Sequence, residues 1–325
     1  MAFPKLPAKA AYITLNNPTN RNALSISVLR DLRGQLHKSM TSPRTGKLLT
    51  LPPFKKHFVD LYDPPPKPKS ILDTDTDTDK NTNPEAWLTD PETWHKDREG
   101  LPNALVLRTE GPVFSSGHDL HELHSNTPEQ NKQSLALCAE VISLIRHSPA
   151  PVICPVQGLA TAAGFQLALA ADFPIALAST EFQLPGMLLG FPCTGPAVAV
   201  SRRLPPGLAY RLFATGERVT AGELGNGVLD VVPVPEHAES TDTAARAFEE
   251  RVAAVVQRVA GGETAGRAQA LGKWAYWTQL GLRGGDSYDP AGRWAGKVMA
   301  TDLQSEEARE GIAAWVEKRK PQWKA

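Results

Sequence analysis

The stretch Val152–Asp172, VICPVQGLATAAGFQLALAAD, decides the fold. A short apolar run from Val152 to Val156 meets a turn of small residues, Gly158, Ala160, Ala162, Ala163 and Gly164. An apolar helical pattern then continues to Asp172. This is the pattern of a buried strand entering a buried helix through a turn without bulky side chains. Such a turn lets another group approach the backbone. The first amides of a helix also lack intrahelical acceptors and carry the positive end of its dipole. A ligand at this turn is the first expectation.

Around it, 325 residues are enough for one large domain or two ordinary ones with ample core. Lys and Arg total 35, as do Asp and Glu. That balance excludes a global basic field for nucleic acid or an acidic membrane surface. The three cysteines, Cys138, Cys154 and Cys193, include no CxxC pair. A disulfide framework and a cysteine zinc site are therefore not expected, and a reducing intracellular compartment is the simplest reading. No apolar run approaches the roughly 20 residues of a membrane span. The N-terminal MAFPKLPAKAAYITL has neither a signal-peptide core nor the Arg-rich character of a transit peptide.

In chain order, Tyr12–Leu15 reads as a strand stopped by Asn16-Asn17-Pro18. Ser25 then caps a helix with Leu29, Leu32 and Leu36 on one face. From about 40 to 102 the composition changes to PPP, a DTDTDTD repeat and NTNP. Disorder or a surface excursion is expected there, with Trp87 and Trp94 docking back. The Asp-Thr repeat lacks the Gly and terminal Glu of a calcium loop. Ala104–Leu107 reads as a buried strand, Ser134–Arg146 as a helix, Phe173–Ala178 as a strand, 197–215 as helical and Val228–Val232 as a strand. The tail from Thr241 is helical. Strand and helix patterns alternate before an all-helical end, which indicates an α/β class with a core over 1–235, interrupted at 40–102, and a helical region over 236–325.

If the small-residue turns at Ser115–His118 and Ala162–Gly164 face each other, the amides of His118 and Ala163 converge on one oxygen. That arrangement suits an enolate or a tetrahedral intermediate beside a carbonyl. Glycine-rich turns are common, so spacing alone decides nothing. His118, His121 and His124 recur every third residue, but no HExxH pattern accompanies them and a solvated helix face is the plainer reading.

Five segments in order carry a resemblance: NPTNRNALS from Asn17, GPVFSSGHDL from Gly111, PVICPVQGLATAAGFQLALAADF from Pro151, FQLPGMLLGF from Phe182 and EKRKPQW from Glu317. Together they resemble the crotonase superfamily of enoyl-CoA hydratases and isomerases. The resemblance implies a ClpP/crotonase-like spiral of ββα units with a C-terminal helical trimerisation region, and a homotrimer or dimer of trimers. It further implies an acyl-CoA thioester as substrate or ligand, without another cofactor, and a place in fatty-acid metabolism. By position, the oxyanion-hole amides fall on His118 and Ala163. The CoA-binding segments fall on Arg21–Leu24, including Ala23 and Leu24, and on Phe114–Asp119, including Ser116; basic residues of the last helix fall at Lys318 and Lys320. The match starts later than in the family, whose first strand is expected to be missing. Mitochondrial placement follows from the resemblance, with the cytoplasm as alternative.

Two departures bear on mechanism. Hydratases of the superfamily use two glutamates, and Gln166 and Gly186 stand in their places here. Glutamine has no accessible ionisation and glycine no side chain, so two-glutamate hydration is expected to be absent or severely impaired. Gln166 remains a candidate for orienting a water or an acyl oxygen, the His118 imidazole for acid/base work, and Cys193 for chemistry from the loop after Gly186. Asp119 and Asp172 read as caps. The alternatives are an isomerase, a thioester hydrolase, a limited hydratase, a non-catalytic acyl-CoA binder, or a biosynthetic crotonase with an unusual substrate. Glutamate at both 166 and 186 is expected to raise crotonyl-CoA hydration.

Overall fold

The computed structural model describes residues 3–53, 86–233, 241–260, 266–281, 292, 296–297, 299–300, 303 and 305–322. The Asp-Thr repeat, and the disorder expected of it, lie outside these residues. The strands β1 (Ala10–Leu15), β2 (Ala104–Thr109) and β3 (Val152–Val156) have the short apolar runs of a parallel sheet buried on both faces. The short strand β4 (Leu159–Thr161) follows β3, and the helix α6 (Ala163–Ala170) follows β4. Next come β5 (Phe173–Leu177), β6 (Glu181–Gln183), β7 (Arg218–Thr220), the short helix α9 (Ala221–Leu224) and β8 (Asp230–Val232). One sheet has the order β1-β2-β3-β5-β8, all parallel; a second has the order β4-β6-β7.

The turns that begin at β3 and at β5 each give a strand to both sheets before their helices. The first three helices are α1 (Ile26–Met40), α2 (Ala86–Thr89) and α3 (Pro91–Asp97), followed by α4 (Leu120–Ser125) and α5 (Pro128–Arg146). Single-residue parallel bridges, Leu24 to His118 and Ser115 to Ala160, extend the second sheet to the loops ahead of α1 and α4. This is the expected spiral of ββα units, and it brings the loop after β2 against the turn before α6.

The sheet's faces divide the core. Leu105 and Leu107 join Phe165, Phe182 and the α1 leucines on one side. Ala104, Val106, Ile153 and Ile175 meet Phe248, Val252 and Val256 of α10 (Thr241–Ala260) on the other. Ser25 caps α1 as expected, its hydroxyl accepting from Val28 N, with Leu29, Leu32 and Leu36 buried.

Three expectations change. The helix expected from Ser134 begins at Pro128, because Thr127 and Gln130 form a reciprocal capping box. Its first two turns are polar, with only Asn131 and Ser134 buried among them, and carry no apolar signal. The segment 197–215 is two helices, α7 (Thr194–Val200) and α8 (Pro206–Thr215), since Pro205-Pro206 cannot continue a helix. Both ends of the expected insert belong to the fold: Leu49, Leu51, Trp87, Leu88 and Trp94 bury themselves against Ala270 and Trp274 of α11 (Gly266–Gly281). Trp87 and Trp94 stack at 5.9 Å, so they dock as read. Trp274 lies in this cluster, whereas neighbouring Tyr276 is 55% exposed and Trp277 packs under the Arg146 guanidinium at 3.8 Å. The last helix is α12 (Glu306–Val316).

Candidate functional site

The site forms where the second and third ββα turns touch. Ser115 O accepts from Thr161 N at 3.0 Å, and Thr161 Oγ1 donates to Ser116 O at 2.9 Å. Two glycines allow this closeness. A Cβ on Gly117 would lie 2.9 Å from Ala162 Cβ and 3.0 Å from Thr161 O; one on Gly164 would lie 2.6 Å from Ser115 O. Gly117 has φ +83, and Ala162, just ahead of α6, has φ +48, a strained value for a residue with a side chain. Gln183 O holds Ala162 there by accepting from its N–H at 2.9 Å.

The two turns therefore face each other, and the condition on which the oxyanion-hole reading depends is met. Ala163 N lies 3.3 Å from the position of a Gly117 Cβ, and His118 N is the next amide after Gly117. Neither amide takes part in the hydrogen bonds that hold the turns together. As the first residue of α6, Ala163 has no intrahelical acceptor. Two adjacent N–H groups at a helix N-terminus can share one developing negative charge.

The loop is braced from below by Asn22, fully buried with φ +54. Its side-chain amide donates to Glu110 O and Val113 O at 2.7 and 2.8 Å, and its carbonyl accepts from Ser115 Oγ at 2.8 Å. Arg21 O accepts from Ser116 N at 3.0 Å. The expected CoA-binding segments Arg21–Leu24 and Phe114–Asp119 are thus side by side. Their side chains divide, however. Ala23, Leu24 and Phe114 are buried in the core and offer a ligand only backbone, while Arg21 is exposed. Asp119 caps α4, accepting from His121 N and Glu122 N, and takes a hydrogen bond from Asn20.

Gln166, one turn into α6, reaches a cavity of about 580 Å³ walled by α5 and by Gly292, Gly296, Lys297 and Ala300. Leu135, Ala136, Ala139, Ile142 and Ala300 give it an apolar lining. Sequence reading found Gln166 but not these wall residues, since small residues at helical spacing look the same in a core and in a slot. Gly186 does not line this cavity: it is buried, and a Cβ there would lie 2.2 Å from Phe191 O and 2.6 Å from Cys193 N. Glutamate at 186 therefore cannot enter this backbone, and the expected gain from glutamate at both positions is withdrawn on steric grounds. Cys193 is also corrected. Its side chain is enclosed beside Gly186, and burial pushes the thiol up to about 12, leaving it protonated and inert at neutral pH. Cys138 and Cys154 are buried core thiols in their helix and strand.

The His118 imidazole is corrected likewise. Burial pushes it down to about 4, the backbone of Leu24 opposing this by a hydrogen bond, and Nδ1 has no hydrogen-bond partner among the described residues. The ring is neutral at pH 7 and cannot serve as a general acid there. Its ordinary value is 6.5, so below that pH the unfolded chain takes up a proton that the folded ring refuses until about pH 4. Stability is unaffected above pH 6.5 and falls by up to about 3 kcal/mol across that window. His118→Gln is expected to flatten this part of a pH series of urea midpoints; an unchanged slope would contradict the burial of a neutral ring.

His121 and His124 lie on α4, and His121 packs edge-on against Trp315 at 5.2 Å. Among the described residues no group of three or more His, Cys, Asp or Glu is placed to hold a metal. Lys318 and Lys320 are exposed in the turn after α12 and do not line the cavity; Arg319 between them pairs with Glu310 and Glu317. Among the described residues no helix is long and apolar enough to cross a membrane.

Residues 96–261 match the sequence family described as enoyl-CoA hydratase/isomerase. The chain belongs to that family. It is 37% identical over 225 residues to the human mitochondrial enoyl-CoA hydratase domain-containing protein 3, covering 67% of this chain and 68% of the relative. Carnitinyl-CoA dehydratase of Escherichia coli O157:H7 is 31% identical over 234 residues, 70% of this chain and 84% of that one. The crystal structure of human enoyl-CoA hydratase domain-containing protein 3 superposes with a TM-score of 0.57 at 28% identity, over 98% of each chain. The family's fold is the crotonase fold, so the ββα spiral and the family membership agree.

Proposed function

We propose that the chain binds an acyl-CoA thioester and polarises its carbonyl with the amides of His118 and Ala163. It does so without the two-glutamate addition of water. The observation that carries this reading is the backbone contact of the two turns, which leaves two amides uncommitted, one of them a helical turn before Gln166 on the cavity wall. An enolate or oxyanion formed from the thioester is stabilised there by the amides and the dipole of α6. Gln166 orients the acyl group or a water by donating and accepting hydrogen bonds; it moves no proton. Hydration of crotonyl-CoA is expected to be absent or weak. The mitochondrial relatives support a mitochondrial placement, and the family resemblance supports a role in fatty-acid metabolism and a trimer.

A non-catalytic acyl-CoA binder is the second reading, and one observation favours it. Gln166 and apolar side chains make up most of the described cavity wall, its cations Lys132 and Lys297 are exposed, and the His118 imidazole is buried and neutral. Glu140 lines the cavity farther along α5, but its carboxylate faces Arg33 at 3.2 Å and His37 at 4.0 Å on α1. Acetyl-CoA at a hundred times its Kd is expected to stabilise the fold by about 2.7 kcal/mol and raise Tm by several degrees. No shift at millimolar acetyl-CoA sinks both readings. A shift without consumption of any acyl-CoA in a panel leaves the binder.

A further inference from the structure

The amides of His118 and Ala163 come from separate stretches of chain, so their spacing is set by whatever ties those stretches together. On one side, Leu24 N donates to Gly117 O at 2.8 Å and Asn22 holds Glu110 O and Val113 O, which anchors the His118 loop to the segment ahead of α1. On the other, the turn between β3 and β4 leads on into α6 and carries Ala163. Gln157 stands in that turn and reaches the loop with both its backbone and its side chain. Its carbonyl accepts from Phe114 N at 3.0 Å. Its side-chain Nε2 donates to Thr109 O at 2.9 Å, Thr109 Oγ1 at 2.7 Å and Gly111 O at 3.2 Å, so two amide hydrogens serve three acceptors. A Cβ on the next residue, Gly158, would run into Pro112 O, so the two backbones already touch there.

We propose that Gln157 is a positioning residue for the oxyanion hole, fixing where the His118 amide lies relative to that of Ala163. This rests on the acyl-CoA reading above and names the side chain that sets the polarising geometry of the same site. Gln157 does not line the cavity, so it acts through the loop. The reason lies in Gly111, whose φ of +83 is in the left-handed region. A glycine occupies the other regions about as readily, so its conformation here has to be held from outside. The hydrogen bond to Gly111 O does that, and the bonds to Thr109 fix the chain just ahead of it. Without them the loop pivots at Gly111 and the two turns part. Donors that share one oxygen tolerate little error, a displacement on the order of 1 Å being enough to lose most of their effect. Gln157 is half-buried, unlike the fully buried Asn22, so replacing it leaves no void in the core and its effect is read at the site.

The test compares acetyl-CoA with S-ethyl-CoA, the thioether with two hydrogens in place of the carbonyl oxygen, in calorimetric titrations of the full chain. Two hydrogen bonds to the carbonyl are expected to make the parent prefer acetyl-CoA by about tenfold. Gln157→Glu keeps the size of the side chain but turns a carboxylate, with no hydrogen to donate, toward three oxygens. It is expected to bring the preference close to one and to leave S-ethyl-CoA binding unchanged. Gln157→Ala removes the donors without adding a charge and is expected to lower the preference by less, since water can replace them. It serves if Gln157→Glu melts early in the apo state. The C=O stretch of bound acetyl-CoA, followed by isotope-edited infrared difference spectroscopy, is expected below its free value in the parent and nearer to it in both variants. A preference and stretch unmoved by either variant, or equal loss of both ligands, overturns the positioning role and leaves the acyl-CoA reading standing. A parent that binds both ligands equally, with the stretch at its free value, overturns the polarising of the carbonyl and this role with it. Binding of neither ligand to the parent overturns the acyl-CoA reading as a whole.

Discussion

Gly164→Ala is expected to lower stability by about 1–3 kcal/mol and to remove the response to acetyl-CoA. The new Cβ would stand 2.6 Å from Ser115 O, 2.7 Å from Ser115 Cβ and 3.0 Å from Ser115 Oγ. Ser115 has nowhere to retreat. Its carbonyl accepts from Thr161 N, its hydroxyl donates to Asn22 O, and Gly117 N donates back to that hydroxyl at 3.2 Å. Relief has to come from the two turns moving apart, which separates the amides of His118 and Ala163. Urea midpoints give the first effect and thermal shift with acetyl-CoA the second. A variant that unfolds and binds like its parent contradicts the locked-turn geometry.

The second large effect is far from the site. Asp172, at the end of the quoted stretch, accepts from Val152 N and from Lys273 Nζ of α11, both at 2.8 Å. Lys273 also donates to Ile145 O at 3.3 Å, and both side chains are nearly enclosed, at 6% and 11% exposure. Burial pulls the ammonium below its ordinary range, and the Asp172 carboxylate works against that. Breaking a buried pair leaves an uncompensated charge, so Lys273→Met is expected to cost about 3–5 kcal/mol. The double variant Lys273→Met/Asp172→Leu removes both charges and is expected to recover much of that loss. Denaturant unfolding of the two variants decides the matter. A single variant within 1 kcal/mol of the parent would mean that the pair does not tie α11 to the sheet.

The quoted stretch contains much of this without a structure. Its first strand and its helix lie where the pattern put them, because a buried parallel strand and an apolar helix leave unmistakable composition; the small residues between them hold a further strand, β4, whose partner β6 is given only by the fold. The capping of α1 by Ser25 and the docking of Trp87 and Trp94 were legible for similar reasons: one is local chemistry, the other large apolar area with no alternative burial. The start of α5 was not legible, since its first turns are polar and only the reciprocal Thr127–Gln130 cap marks them.

Residue identity alone determined that Gln166 cannot act as a base and that Gly186 offers no side chain. Tertiary contact decided the rest. Whether two glycine turns meet depends on the register between successive ββα turns, which no local pattern encodes. The same holds for the inert Cys193 thiol and the neutral His118 ring, whose properties come from neighbours distant in sequence that exclude water. The slot beside Gln166 is the clearest case. Ala136 and Ala139 on α5 and Gly296 far along the chain have no meaning as a set until the fold places them face to face.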